Sequence, residues 1–273
     1  MRFFWLNLAV LSFLVACKPH SSTDTKGNES GGDEAALLMD AQIEESIERI
    51  HERPDVSFDD FIYNFMQDSL FQKRRILFPL HFFNHGVVSH IPSSEWVYDE
   101  MYKNQDLYTL IYDSNESLAT KSDSGLHQVI VENVYLQKQA IRQYCFVKRN
   151  HFWLLKQILE SDMSKDVNHD FYTFYRMFTT DDEFQMQHIK NPFYFRTFDV
   201  ENDQIIEGVL DSQQWPDYRP EMPKDTLTNI NYGQHYEQSN KRVVLICSPS
   251  GGMGCTVTFV RHGHKWMFES LEN

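Results

Sequence analysis

Only four cysteines, Cys17, Cys145, Cys247 and Cys255, are spread over 273 residues. That is too few for a disulfide framework, and none stands in the paired Cys-x-x-Cys spacing of a structural zinc site. Glycine (11) and proline (9) are scarce, which excludes collagen-like and low-complexity chains. Basic residues number 25 against 39 acids, for a formal net charge of −14. Phosphate binding needs concentrated Lys and Arg, so neither nucleic acid nor an anionic lipid surface is an expected partner. A nucleophile elbow, a His-Glu-x-x-His motif and a dinucleotide fingerprint are all missing, and no cofactor is expected. What is present is 41% hydrophobic and 14% aromatic, enough for a packed core in one large or two small domains.

Residues 1–16 read as a signal peptide: Arg2, an apolar run from Phe3 to Val15 broken by Asn7 and Ser12, then Leu14-Val15-Ala16-Cys17. The run is shorter than the roughly 20 residues a membrane-spanning helix needs, which favours a processed leader. Leu-Val-Ala-Cys resembles a bacterial lipoprotein signal. The resemblance implies lipid on Cys17 as the membrane anchor and a place in the cell envelope, on the outer membrane's periplasmic or surface-exposed face. Residues 17–32 hold almost nothing that can bury surface and read as a flexible tether. From Asp33 the pattern turns amphipathic, with Met39, Ile43, Ile47 and Ile50 at helical spacing; one helix over Asp33–Glu52 is expected within a segment 33–55.

The sequence then repeats itself at an offset of 113 positions. Phe58, Phe61, Phe65, Asp68, Phe71, Gln72, Ile76, Pro79 and Phe82 recur as Phe171, Phe174, Phe178, Asp181, Phe184, Gln185, Ile189, Pro192 and Phe195. Near the other end, Phe146, Val147, His151 and Trp153 recur as Phe259, Val260, His264 and Trp266. Between these stretches the offset drifts to about 120, pairing Leu107 with Leu227 and Tyr112 with Tyr232. An insertion within Glu201–Gln214 would account for the drift. The expectation is a tandem duplication, 56–162 and 169–273.

Each element can be read twice. Ser57 and Asp170 precede a Phe-x-x-Phe-x-x-x-Phe stripe and are expected N-caps of a first helix. Ser69 and Asp182, each followed three residues later by Gln72 or Gln185, have the spacing of a capping box opening a second. The chain then becomes extended, Pro79 and Pro192 pointing to an edge or a bulge. Strands are expected at Leu107–Tyr112, Gln128–Leu136, Ala140–Lys148 and Phe152–Leu159, and again at Thr226–Tyr232, Arg242–Ser248, Cys255–Arg261 and Lys265–Leu271. Phe61, Phe65, Phe71, Ile76 and Trp153, with Phe174, Phe178, Phe184, Ile189 and Trp266, are the expected core. The fold class is α+β, helices covering one face of a curved antiparallel sheet in each copy.

This layout resembles the nuclear transport factor 2-like, or cystatin-like, roll. Together with the Cys17 signal, the tether, Phe71-Gln72, the Ile76-Leu-Phe-Pro-Leu80 strand and the closing Trp hairpin, it is similar to a family of uncharacterised bacterial lipoproteins with that fold. The resemblance spans Ser57 to the C-terminus and implies no catalytic residue. The roll often encloses a pocket between helix and sheet, suited to a small ligand or to acid–base catalysis, although the Phe stripe would fill much of it. Asp59 and Asp60 stand in the first helical turn and read as structural, Asp60 completing a capping box with Ser57.

His81, His85 and His90, and His262 with His264, have spacings that suit a transition metal, but turns scatter both sets and no metal is expected. Ser248–Gly254 resembles a phosphate-cradling loop without the following helix and Lys, and reads as a hairpin loop. In Arg242–Ser248, Val243, Leu245 and Cys247 share a face; in Cys255–Arg261, Cys255, Val257 and Phe259 share one. If both faces turn to the core, Cys247 lies opposite Cys255 and a disulfide between them is expected, leaving Cys145 a buried thiol. The alternative is two small apolar residues side by side.

The leading functional expectation is a lipid-anchored binding or scaffold protein of the cell envelope, its partner a small ligand or another envelope protein. An isomerase- or dehydratase-type enzyme using one pocket and a sensor or inhibitor domain are the alternatives. A buried carboxylate facing an open pocket would favour the enzyme, and an exposed aromatic patch a protein partner.

Overall fold

The computed structural model describes residues 41–47, 50, 53–119, 125–248 and 254–273. The expected signal peptide, Cys17 and the tether lie outside them, as do residues 249–253 of the expected loop Ser248–Gly254 and part of the expected helix Asp33–Glu52. Residues 41–47 form helix α1. Its Ile43 and the following Ile50 are buried against Leu77, Val147 and Leu154.

Helix α2 (Phe58–Gln67) starts at Ser57, whose hydroxyl accepts from the Asp60 amide at 3.1 Å. Asp60 returns its carboxylate to that hydroxyl rather than to the backbone. Phe58, Phe61, Ile62, Phe65 and Met66 are its buried positions, a single stripe at the period of a helix. Helix α3 (Ser69–Arg74) is capped by Asp68, which accepts from Leu70 and Phe71 amides at 2.8 and 2.9 Å. The cap is therefore one residue before the expected Ser69. There follow β1 (Ile76–Asn84), β2 (Val87–Ile91), β3 (Tyr108–Tyr112), α4 (Asn115–Ala119), β4 (Gln128–Tyr135), β5 (Ala140–Arg149) and β6 (Phe152–Asp162). His85 and Gly86 both take positive φ at the β1–β2 turn, the geometry a two-residue hairpin requires.

The second half follows the same order: α5 (His169–Thr180), α6 (Asp182–Gln187), β7 (Ile189–Asp199), β8 (Gln204–Leu210), α7 (Trp215–Tyr218), β9 (Thr226–Asn231), β10 (Lys241–Cys247), β11 (Gly254–His262) and β12 (Lys265–Glu272). Helix α5 is entered from Asn168 and not from the expected Asp170. Asp170 sits inside the first turn, where Arg261 and the Trp266 indole N–H hold its carboxylate at 2.5 and 3.1 Å. Helix α6 is capped by Asp181 instead of the expected Asp182.

Two six-stranded sheets result, β2-β1-β6-β5-β4-β9 and β3-β10-β11-β12-β7-β8. They are mixed, not antiparallel as expected, because β1 runs parallel to β6 and β7 to β12. The register slips around Pro79 and Pro192 in these pairs, so each proline sits in a bulge where its missing N–H leaves no gap in the ladder.

Each half lends its third strand to the other. Strand β9 pairs with β4 and β3 with β10. Where β3 and β9 meet, Thr109 N–H donates to Thr228 Oγ1 at 2.7 Å and Thr228 N–H to Thr109 Oγ1 at 3.0 Å. Each hydroxyl donates in turn to the other's carbonyl, at 2.6 and 2.8 Å. Such reciprocity is what two equivalent residues beside a twofold axis produce. The pairing also corrects the internal alignment: Ile111 faces Val244 as Ile230 faces Val131, an offset of 119, so Tyr112 corresponds to Asn231 rather than to Tyr232. The extra residues of the second half lie in the hairpin end 198–205, standing where the first hairpin has only residues 85 and 86, and so overlap the expected stretch 201–214 only at its start.

The exchange buries β3 and β9 on both faces. Leu110 and Tyr112 enter the first-half core while Ile111 enters the second. Residues 39–273 accordingly form one compact unit, and the divisions 56–162 and 169–273 do not separate independent sheets. Strand β10 is likewise sandwiched, Val243 facing the first core and Val244 and Ile246 the second. This is why the expected disulfide is not there. Cys247 lies opposite Gly254 and Cys255 opposite Ile246, so the two cysteines point to different faces and all three described cysteines are free thiols. No helix among the described residues is long and apolar enough to cross a membrane.

Candidate functional site

The Phe stripe of α2 faces the first-half core, and the flank of the same helix, one-third of a turn away, opens a cavity. Asp59, Ile62, Tyr63 and Met66 recur there at helical spacing and meet β3 and β9 across a space of about 310 Å³. Leu110, Thr228 and Ile230 form the sheet side, and Gln67, Tyr102, Lys103, Tyr108 and Tyr232 complete the lining.

Tyr102 and Lys103 sit on a stretch without regular structure between β2 and β3, and one buried amide holds that stretch in place. Gln72 Nε2 donates to the carbonyls of Phe65 and Asp99 at 3.0 and 2.8 Å. Its Oε1 accepts from the Trp96 indole at 3.1 Å and from the Asp99 amide at 3.0 Å. Tyr98 donates to the Met66 carbonyl, and Tyr144 to the Asp99 carboxylate at 2.7 Å. Helix and loop are thereby tied together at the rear of the cavity. Tyr232 donates its phenol to Asp59 and stands edge-on to Phe58, ring centroids 6.1 Å apart.

The phenols of Tyr102, Tyr112 and Tyr232 are raised well above the usual range, first by burial and then by the negative charge of Asp59, which Tyr232 also meets as a hydrogen-bond partner. Tyr108 is raised by burial, by Cys247 beside it and by Asp59. All four remain neutral donors at physiological pH. The cavity can offer hydroxyls, ring faces and one carboxylate to a ligand with an apolar body.

In the second half the part of this place beside the first turns of α5 is filled. Tyr172 and Tyr175, fully buried, occupy the positions of Asp59 and Ile62, and Asn229 that of Leu110. Asn229 Nδ2 donates to Glu132 at 2.7 Å and to the Tyr236 hydroxyl at 3.1 Å, and Tyr236 donates to the Ile111 carbonyl at 2.7 Å. Gln143 gives Glu132 a second donor at 2.7 Å. Burial pushes the Glu132 carboxyl up to about 7, the Asp166 charge adding to it and the two amide donors opposing it. Arg242 Nε reaches Asn168 Oδ1 at 2.8 Å, with its guanidinium over the Tyr236 and Trp266 rings. A wider trough of about 770 Å³ opens at the C-terminal end of α5, lined by Thr179, the counterpart of Met66, with Arg219, Glu221, Met222 and Lys224 and no aromatic side chain. Glu132 lines neither space.

Of the expected core, Phe61, Phe65, Ile76 and Trp153 are buried in the first half and Phe174, Phe178, Ile189 and Trp266 in the second. Phe71 and Phe184 are half-buried, covered by the Arg75 guanidinium and by the His188 ring respectively. Cys145 is buried, its thiol pushed up to about 11 by desolvation. His81 and His90 are cross-strand neighbours with ring centroids 4.6 Å apart, and burial followed by the His90 and Lys156 charges lowers His81. Among the described residues no three or more His, Cys, Asp or Glu come together as a metal site.

Sequence reasoning missed two things. Gln72 and Gln185 are not capping residues but buried keystones, each accepting from a tryptophan indole, Trp96 and Trp215; the spacing of 119 between those tryptophans was the available signal. Asp59, read as a helix-dipole acid, is the carboxylate of the cavity.

No curated protein matches the chain. A crystal structure of an NTF2-like protein from Bacteroides fragilis is similar to it at 33% identity and a TM-score of 0.73, covering 81% of this chain and 98% of that one. The sequence model of a family described as a domain of unknown function, DUF4348, matches residues 35–273. The chain belongs to the DUF4348 family, and its mixed α+β architecture with two sheets is that of an NTF2-like neighbour.

Proposed function

We propose that the protein is a small-ligand-binding protein of the cell envelope, anchored by lipid on Cys17, in which a tandem duplication has kept one binding cavity and filled the other. One observation carries the binding reading: the space between helix and sheet is open beside α2 and occupied by Tyr172 and Tyr175 beside α5. The 119-residue correspondence of Thr109 with Thr228 and the reciprocal strand exchange support the duplication. The Leu14-Val15-Ala16-Cys17 stretch supports the anchor. The enzyme alternative needs a buried carboxylate facing the cavity, and Glu132, the most deeply buried carboxylate among the described residues, is enclosed elsewhere.

Screening a collection of small aromatic and aliphatic fragments by saturation-transfer NMR tests the reading. Ile62→Tyr puts into the first half the ring that the second half carries at Tyr175. Gln67→Trp covers the mouth from an exposed position and leaves the core untouched. Binders of the wild type are expected to lose at least about ten-fold in affinity in both variants, the penalty of filling a site that must otherwise close around the ligand. Fragments that bind both variants as well as the wild type would remove the cavity from the account.

A second reading, docking of another envelope protein, is favoured by the β7–β8 arm, where Phe198, Val200, Ile205, Ile206 and Val209 are exposed along an edge strand. A screen without any binder for the cavity would leave this one standing.

A further inference from the structure

We infer that the first-half cavity selects an organic cation, an amine or quaternary ammonium head held between the Asp59 carboxylate and the tyrosine rings around it. The inference rests on the cavity being a binding site and specifies what that site takes. Four tyrosines, Tyr63, Tyr102, Tyr108 and Tyr232, line a space of about 310 Å³ together with a single carboxylate. Ring faces carry the negative side of the aromatic quadrupole and attract a cation, the more so when it is desolvated. Asp59 meets the Tyr232 phenol, and among the described residues no Lys, Arg or His forms an ion pair with it, so its second oxygen remains open to a ligand.

The phenols themselves report the sign of the potential. Asp59 is among the charges that oppose ionisation of Tyr102, Tyr108, Tyr112 and Tyr232. Burial is the larger cause and penalises a charge of either sign, whereas the Asp59 part opposes a bound carboxylate or phosphate and favours a positive charge. Lys103 also lines the cavity and sets one positive charge on its wall, so the preference for a cation has to come from Asp59 and the ring faces. Ile62, Met66, Leu110 and Ile230 supply an apolar wall for the body of the ligand.

The filled half differs at just these places. Tyr172 stands for Asp59 and Asp113 for Tyr232, so carboxylate and ring exchange places, while Arg176 and Leu227 replace the rings of Tyr63 and Tyr108 and bring a positive charge to the equivalent surface.

The test uses four probes of similar shape: phenethylamine, benzyltrimethylammonium, the neutral 2-phenylethanol and the anionic phenylacetate. Calorimetry or ligand-observed NMR compares them on the full protein, on Asp59→Asn, which keeps an acceptor for Tyr232, and on Tyr63→Leu, at an exposed position that folding does not depend on. The two cations are expected to bind at least about ten-fold tighter than 2-phenylethanol, with phenylacetate weakest. Asp59→Asn should remove most of that preference without changing the alcohol, and Tyr63→Leu should weaken benzyltrimethylammonium several-fold. An alcohol or a carboxylate that binds as tightly as the cations, or cations indifferent to Asp59→Asn, overturns the assignment. If none of the four binds, the cation assignment falls, and the fragment response to Gln67→Trp decides whether the cavity falls with it.

Discussion

Replacing Phe178 by Ala lowers the unfolding free energy by about 3–5 kcal/mol, the cost of emptying a large buried aromatic site. Phe178 is wholly buried. Its ring meets Phe174 at 5.5 Å, Phe259 edge-on at 5.2 Å, Trp215 at 6.1 Å and Phe268 at 6.2 Å, and these belong to four different elements, none of which can collapse alone into the gap. The Phe178 carbonyl also accepts from buried Gln185 at 2.7 Å, the bond through which α5 holds α6. Because β3 and β9 are exchanged between the sheets, the loss is felt by the whole unit. Urea denaturation followed by tryptophan fluorescence and by far-ultraviolet circular dichroism should give one coincident transition, shifted to lower urea. A loss below about 1 kcal/mol, outside the range for emptying a buried aromatic site, would place the ring against a cavity or a partner. Two separated transitions would mean that the halves fold independently.

Stability falls as pH rises from about 5 to about 8, and Glu132 is the largest single reason. Its carboxyl is fully buried and raised from 4.5 to about 7, so the folded chain holds this proton more tightly than the unfolded one. The stabilisation is complete below the unfolded value and is lost as pH climbs through the folded one, about 3 kcal/mol in all at 1.36 kcal/mol for each pH unit of displacement. Asp166, also raised by burial, adds in the same direction. Asp68, lowered by the Phe71 and Leu70 amides, acts with the opposite sign in more acid solution, and His81, lowered by burial, opposes Glu132 in the lower part of the window. Glu132→Gln should therefore be less stable than wild type at pH 5, where it turns an amide donor towards Gln143 or Asn229. The gap should narrow or reverse by pH 8. A difference between the two proteins that stays constant across this range would show that Glu132 ionises in the folded state as it does in water.

The two-fold reading of the sequence located most elements because each was sampled twice, and a Phe at every third or fourth position in both halves leaves α2 and α5 little alternative. Strands β2 and β8 escaped because their residues are almost all exposed, so no alternation marks them. The strand exchange was out of reach for a physical reason: β3 and β9 present the same alternating apolar pattern to either partner, and pattern alone does not say which β4-like strand accepts them. The same double burial hid the register of β10, where Val243 and Val244 both face a core, and so misplaced Cys247 against Cys255. The cavity was illegible because its carboxylate sits where helices commonly carry acids and its rings come from Tyr63, Tyr102, Tyr108 and Tyr232, which only the exchanged strand β9 and the Gln72-anchored loop bring together.

Fluorine NMR of the protein labelled with 3-fluorotyrosine, titrated with the tightest fragment from the screen and assigned by single Tyr→Phe variants, tests the difference between the two halves directly. The resonances of Tyr63, Tyr102, Tyr108 and Tyr232 should move on titration, while those of Tyr172, Tyr175 and Tyr236 stay where they are. Movement of the second set, or none in the first, would contradict a protein with one open cavity beside α2 and a filled one beside α5.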